Sequence, residues 1–404
     1  MNITGVITEY NPMHNGHVYH INESKKITNC DAIICVMSGH FAQRGIPTIL
    51  DKWTRTDIAL KNGVDLVIEL PAVYSTSSAE FFSFGSVSIL NSLNCVDSLV
   101  FGSECGDIDT LKLIASVLTN ESPEFKEKLS FYLNKGLAFP KARTLAFIDL
   151  YKNETSANLE QIMNSSNNIL GIEYCKALNN LNSKINPVTI MRKGSSYNEE
   201  NLYENYSSAT SIRKFLKSEK NTDILSSTLP IETLLELQKI KKSNFDFPSE
   251  ENFFPYLKYK LLSDGNSILR IPDAYEGLGN KILKEIGHCT NYSDLIDSVK
   301  SKRYTRTRIN RILCQYLLNF DSYDLARLRK TPAPYARILG FNKKGREILS
   351  IIKKSSDIPL ISKVPSKTQD EILLLDLHST KIYSLFNSKI SYNDDFLKKP
   401  IISI

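Results

Sequence analysis

No run of this sequence is long and apolar enough to span a bilayer, and its first residues carry no charged leader followed by an apolar block. A soluble, cytoplasmic protein with no membrane partner is therefore expected. No C-x-x-C pair occurs among the seven cysteines, Cys30, Cys35, Cys95, Cys105, Cys175, Cys289 and Cys314. That scatter argues against a structural zinc, and runs such as AIICVM suggest small buried hydrophobes in a reducing compartment. Internal repeats and low-complexity tracts are also absent. With 42% hydrophobic and 23% charged residues, the 404-residue chain has the composition of a globular protein with room for two or three cores.

Cations far outnumber acidic residues in one region. Between Lys300 and Arg346 there are 13 Lys or Arg against Asp321 and Asp324, although the whole chain carries just +6. The remainder is mildly acidic. A basic module on such a body suggests that one part of the molecule meets a polyanion.

The first half alternates short apolar runs with longer amphipathic stretches. The pattern predicts strands at Ile3–Thr8, Ala32–Met37, Leu66–Leu70, Ser98–Phe101 and Val188–Met191. Helices are predicted at His17–Lys26, Thr54–Asn62, Ala79–Ser92 and Asn168–Leu181, with a helical insertion near 108–151. Such alternation reads as a doubly wound α/β domain, whose ligands bind beyond the C-terminal ends of its strands. After Ile212 the strand signal fades. Glu232–Lys241, Glu251–Leu262, Ala274–Ile286, Asn291–Leu318 and Gly345–Lys353 look helical. KKSNFDFPSEENFFP reads as a linker or interdomain crossing, and the alternating runs IPLIS and KIYSLF as parts of a small terminal α/β element. The division expected is a nucleotide-binding domain over 1–220 and a mainly helical, basic domain over 221–404.

The segment GVITEYNPMHNGHVYHI carries the chemistry. His14, Asn15, Gly16 and His17 fall where the first strand gives way to a helix. Unpaired backbone amides in a helix's first turn, with the dipole, favour an anion. Gly16 would let a phosphate approach the backbone, and two imidazoles can donate to phosphate oxygens as charge builds in an in-line displacement. His14, His17 and His20 could also suggest a metal site, but helical spacing spreads the rings around the axis, so no metal ligands are assigned.

HNGH resembles the signature of the HIGH-motif nucleotidyltransferase superfamily. Together with MSGHFAQRGIP, GVDLVIELP, FGSE, NNILGIEY and KSKRYTRTRINRIL, it is similar to the bacterial tRNA(Met) cytidine acetate ligases through most of the chain. The resemblance implies a Rossmann-like fold and an ATP site. That site would be formed by Ile7, Thr8, Glu9, Tyr10, Asn11, Pro12 and Met13 of the strand end and turn, by His14, Asn15, Gly16, His17, Val18, Tyr19 and His20 of the helix start, and by Gly102, Asn167 and Arg192. Gly102 could equally be a turn glycine, Asn167 could hydrogen-bond base or ribose or merely start a helix, and Arg192 could clamp phosphate or lie on the surface. YSSATSIRKFL is similar to the S-S-T-x-x-R element placed against triphosphate, with Ala209 in place of the second serine; alone it reads as a helix cap around Ser207, Ser208 and Thr210 with Arg213 following. Met13 and Ser166 stand where the family often has Phe and Pro.

In KSKRYTRTRINR six cations occur without an acid. On one continuous helix Lys300, Tyr304, Arg308 and Arg311 would share a face able to neutralise phosphates and stack a base. The resemblance thus implies a ligase whose catalytic His14 and His17 serve acetate activation by ATP, with Mg²⁺, followed by acetyl transfer to N4 of the wobble cytidine of elongator tRNA(Met). No required protein partner is inferred. An adenylyltransferase for a small phosphorylated metabolite, or a tRNA-binding protein with a vestigial pocket, are the alternatives.

Overall fold

The computed structural model describes residues 1–152, 154, 157–192, 207–218, 221–243, 247–301 and 303–403. Tyr206 of the serine-rich element, Asn244, Phe245 and Asp246 of the linker, and Lys302 of the basic segment lie outside the described residues.

The continuous apolar runs form the strands predicted. They are β1 (Ile3–Thr8), β2 (Ala32–Ser38), β5 (Leu66–Leu70), β6 (Ser98–Ser103) and β7 (Asn186–Met191), with a short hairpin of β3 (Phe41–Ala42) and β4 (Ile46–Pro47) between β2 and β5. Every residue of β2 and β5 is buried, as a sheet covered on both faces demands. Alternate side chains feed opposite layers: Ile34, Val36, Ile68 and Leu99 pack on one face, Ile33, Cys35, Met37 and Val67 on the other. β1 pairs in parallel with β2, from Ile3 opposite Ala32 to Thr8 opposite Met37, and on its other edge with β6.

Three further strands come from the C-terminal part: β8 (Ala336–Phe341), β9 (Leu360–Ile361) and β10 (Ile401–Ile402). The main sheet runs β10-β8-β5-β2-β1-β6-β7, with β9 beside β8. β8 is antiparallel to β5, while β9 and β10 run parallel to β8. The sheet therefore joins segments from both sides of residue 220. The chain winds outward from β1 in both directions, which opens a crevice at the strand ends between β1 and β6. α1 (Asn15–Thr28) and α2 (Lys52–Lys61) belong to the β1–β2 and β2–β5 connections.

Two local expectations are corrected. Asn291–Leu318 is two helices, Tyr292–Val299 and Arg306–Leu317. Between them the Ser301 hydroxyl accepts from the amides of Arg303 (3.3 Å) and Tyr304 (3.1 Å), forming a turn, and Thr305 caps the second helix. Ser301 and Thr305 offer the backbone this alternative to a continuous helix. The single face shared by Lys300, Tyr304, Arg308 and Arg311 does not form. In the terminal α/β element IPLIS supplies the strand Leu360–Ile361, and Lys381–Tyr383 of KIYSLF end the helix Glu371–Tyr383, which Asp370 caps through the Leu373 amide at 2.9 Å. Ala274–Ile286 shortens to a helix over Leu278–Glu285 after left-handed Gly277 (φ 84°). Among the described residues no helix is long and apolar enough to cross a membrane.

Candidate active site

β1 ends at Thr8, and the turn through Glu9–Met13 delivers His14 as the N-cap of α1. His14 Nδ1 accepts a hydrogen bond from Gly16 N (3.1 Å), and His17 Nδ1 accepts one from His14 N (3.2 Å). A ring nitrogen that accepts carries no proton, so the neutral rings hold theirs on Nε2 and keep those N–H groups for a ligand. The two rings stack at 3.7 Å between centroids, 25° from parallel, and Tyr10 meets His17 edge-on at 5.0 Å.

This arrangement differs from a bare helix terminus. Asn15 N donates to Thr228 O (2.9 Å) and His17 N to His14 O (2.8 Å), while Gly16 N is occupied by the His14 ring. The first-turn amides are spent within the protein, so the imidazoles stand between the helix end and any anion. Gly16 is needed for this reason: a Cβ there would lie 2.9 Å from His14 Cε1 and 3.0 Å from His14 Nδ1.

Burial, reinforced by Arg192 and Arg213, holds the His14 pKa down at about 3; burial and Arg192 hold His20 at about 4. His17 is lowered by burial, then by His14, Arg192 and His20. The trio is neutral at pH 7, able to donate hydrogen bonds but carrying no charge. Unfolded histidine titrates near 6.5, so above that pH both states are neutral and nothing is lost. Below it the unfolded chain binds protons that the folded site refuses, and stability falls with pH. For His14 alone the loss is about 2 kcal/mol at pH 5. Urea unfolding of His14→Asn should show an acid loss between pH 7 and 5 smaller than the parent's by that amount; equal losses would contradict the neutral-imidazole assignment.

A cleft of about 210 Å³ lies over these groups. Its lining includes Ile7, Thr8, Glu9, Tyr10, Asn11, His14, Gly16, His17, Tyr19 and His20 from the first segment, and Gly102, Asn167 and Arg192 from β6, a helix start and the end of β7. Ser207, Ser208, Thr210 and Arg213 also reach it. Arg213 donates to Asn11 O (2.7 Å) and Thr210 Oγ1 (3.2 Å), so the serine-rich helix start is tied to the turn below the imidazoles. Arg192 passes over Gly102, where a Cβ would meet Arg192 Cγ at 3.2 Å. Asn167 Nδ2 donates to Glu104 Oε1 (2.7 Å), and the other Glu104 oxygen accepts Asn168 N (2.8 Å), so Glu104 satisfies the start of the helix Ser166–Asn180.

Four of the predicted residues do not line the cleft. Pro12 follows a cis peptide bond after Asn11, Met13 is buried in the core, the Asn15 side chain donates to Ser227 O (2.9 Å), and Val18 packs on the α1 side of the sheet. Other lining residues carried no prediction: Gln43, Arg44 and Ile46 of the β3–β4 hairpin, and Phe82, Phe101, Leu170, Tyr174 and Ile190. Glu9 positions the hairpin by accepting Gln43 N at 2.6 Å. The hairpin had a readable signal in AQRGIP, where Gly45 takes φ 71°. The apolar residues had none, since in sequence they look like core.

Two donor imidazoles beside arginines, presented by a strand-to-helix turn at the switch point of a doubly wound sheet, make an arrangement suited to the phosphates of a nucleotide. A family model described as HIGH Nucleotidyl Transferase matches residues 1–396. The curated tRNA(Met) cytidine acetate ligase of Clostridium novyi is 50% identical over 402 residues, 99% of each chain, and that of Clostridium tetani is 50% identical over 403 residues, 100% of each. Thermotoga maritima TmcAL, 32% identical, superposes with a TM-score of 0.89 in its apo form and 0.88 when bound with alpha-thio ATP; each comparison covers 100% of this chain and 99% of that one. This chain belongs to the tRNA(Met) cytidine acetate ligase family.

Proposed function

We propose that this protein activates acetate with ATP and acetylates N4 of the wobble cytidine of elongator tRNA(Met). The observation that carries the reading is the stacked His14–His17 pair, its Nδ1 atoms committed to the backbone and its Nε2–H groups kept for phosphate oxygens. An acetate oxygen attacks the α-phosphorus of ATP, and pyrophosphate leaves with the bond it loses. The cytidine N4 amine then attacks the acetyl carbonyl, AMP departs, and the amine gives up a proton. His14 and His17 stabilise charge on the phosphate oxygens during the first displacement, joined by Arg192 and Arg213. Phe101, Leu170, Tyr174 and Ile190 offer an apolar wall suited to a purine.

Mg²⁺ travels with the triphosphate. Glu9 is the carboxylate among the described lining residues, and one of its oxygens is engaged by Gln43 N, so phosphate and water oxygens suit the ion better than protein ligands. Residues 1–220 supply most of the nucleotide site and 221–404 most of the tRNA surface. Incubation with ATP, labelled acetate and total bacterial tRNA should yield labelled N4-acetylcytidine by mass spectrometry, with AMP and pyrophosphate formed in step. Absence of acetylated cytidine, or pyrophosphate exchange that requires a phosphorylated metabolite instead of acetate, would overturn the reading.

A further inference from the structure

Three arginines gather where the basic helix meets the cleft's hairpin, and their hydrogen-bonding capacity exceeds what the described residues provide. Arg308 donates through Nε to Asp273 O (3.1 Å) and through Nη1 to Glu276 Oε2 (3.3 Å), but its buried Nη2 finds no partner among the described residues. Arg329 donates to Asp273 Oδ1 (3.0 Å) and lies 4.2 Å over the Phe81 ring, and its buried Nε is likewise unpartnered. Arg311 lies between these charges: its buried Nε has no partner among the described residues, and burial, Arg308 and Arg329 lower its pKa against the pull of Asp273. Arg308 and Arg329 are only 18% and 12% exposed, so water screens the cluster weakly. A buried guanidinium nitrogen with no acceptor is costly, and because these nitrogens are closed to solvent a ligand would meet the cluster through the exposed edges of Arg308 and Arg329.

The cluster is attached to the active site through the hairpin. The place for a Cβ on Gly45 is filled by the backbone of Asn310 and Arg311, 2.5 Å away, so the tip that follows Gln43 and Arg44 rests directly on the arginine helix. Tyr275 and Tyr304, against which Arg308 packs at 4.6 Å and 5.9 Å, add stacking surfaces.

We infer that Arg308, Arg311 and Arg329 form a binding site for a backbone phosphate of the RNA whose cytidine enters the cleft. The inference rests on the tRNA reading above, and clustered, weakly screened guanidinium groups suit a phosphodiester. Arg311 is the diagnostic residue, because a structural role and a ligand role predict opposite effects on the free protein.

The test uses the full chain with Arg311→Met and, as a charge-retaining control, Arg311→Lys. For Arg311→Met the urea midpoint is expected to hold or rise, the Kd for tRNA to increase about tenfold, and the slope of log K against log salt to flatten by about one phosphate's worth. Arg311→Lys should retain most of the slope. Acetate-dependent exchange of pyrophosphate into ATP, measured without tRNA, should match the parent in both variants. Unchanged tRNA affinity, or weaker binding with an unchanged salt slope, would overturn the phosphate site. Absence of exchange in the parent protein would instead overturn the activation chemistry, which separates the two failures.

Discussion

His14→Asn is expected to lower acetate-dependent exchange of pyrophosphate into ATP by about 10²–10³-fold while leaving the protein folded. Asparagine is a good N-cap and can still satisfy a first-turn amide, so α1 keeps its start. What it loses is the ring stacked on His17 at 3.7 Å and the Nε2–H held for phosphate. Because the imidazole is neutral at pH 7, its pKa held near 3, the loss is one of directed donation in a buried site and cannot be restored by added cations. Exchange at the parent's rate in a folded His14→Asn protein would remove the imidazole pair from the chemistry.

The second large effect concerns the fold behind the site. Lys52, fully buried at the start of α2, bridges Glu69 of β5 (2.8 Å) and Asp395 near the C-terminus (2.8 Å). Arg337 of β8 completes the square, at 3.2 Å from Glu69 and 2.7 Å from Asp395. Two cations face two carboxylates, and Lys52 and Arg337 together hold the Asp395 carboxyl well below the usual carboxylate range. Removing one partner leaves an uncompensated buried charge, which costs about 3–5 kcal/mol. Lys52→Met should therefore lower the unfolding free energy in urea by that amount. A loss under about 1 kcal/mol would show that the square is not what binds the C-terminal strands to the sheet.

That square also marks where sequence reading stops. β1, β2, β5 and β6 were legible because strands buried on both faces must be continuously apolar. ARILGF, the later β8, is as apolar, but it sits in a basic helical region and joins β5 antiparallel across more than 260 residues of chain. Its partner charges, Glu69 and Asp395, have no local signature. The basic segment misled in the opposite way. A period that would align Lys300 with Arg311 holds only if the helix continues, and Ser301 and Thr305 interrupt it.

The candidate site divides along the same line. His14, Gly16 and His17 are neighbours in sequence, so their meeting at the strand-to-helix turn could be foreseen. That the rings consume the helix's own amides could not, since it depends on rotamers and on Thr228 O reaching Asn15 N. Glu104 holding Asn167, and Arg213 holding Asn11 O, are contacts 63 and 202 residues apart, visible only once the sheet has formed.

The most direct measurement is a crystal structure of this protein with a non-hydrolysable ATP analogue. Phosphate oxygens within hydrogen-bonding distance of Nε2 on both His14 and His17, with Arg192 and Arg213 closing on the same phosphates, are the predicted result. A nucleotide bound away from the β1–α1 turn, leaving both imidazoles without a phosphate contact, would contradict the proposed chemistry at its origin.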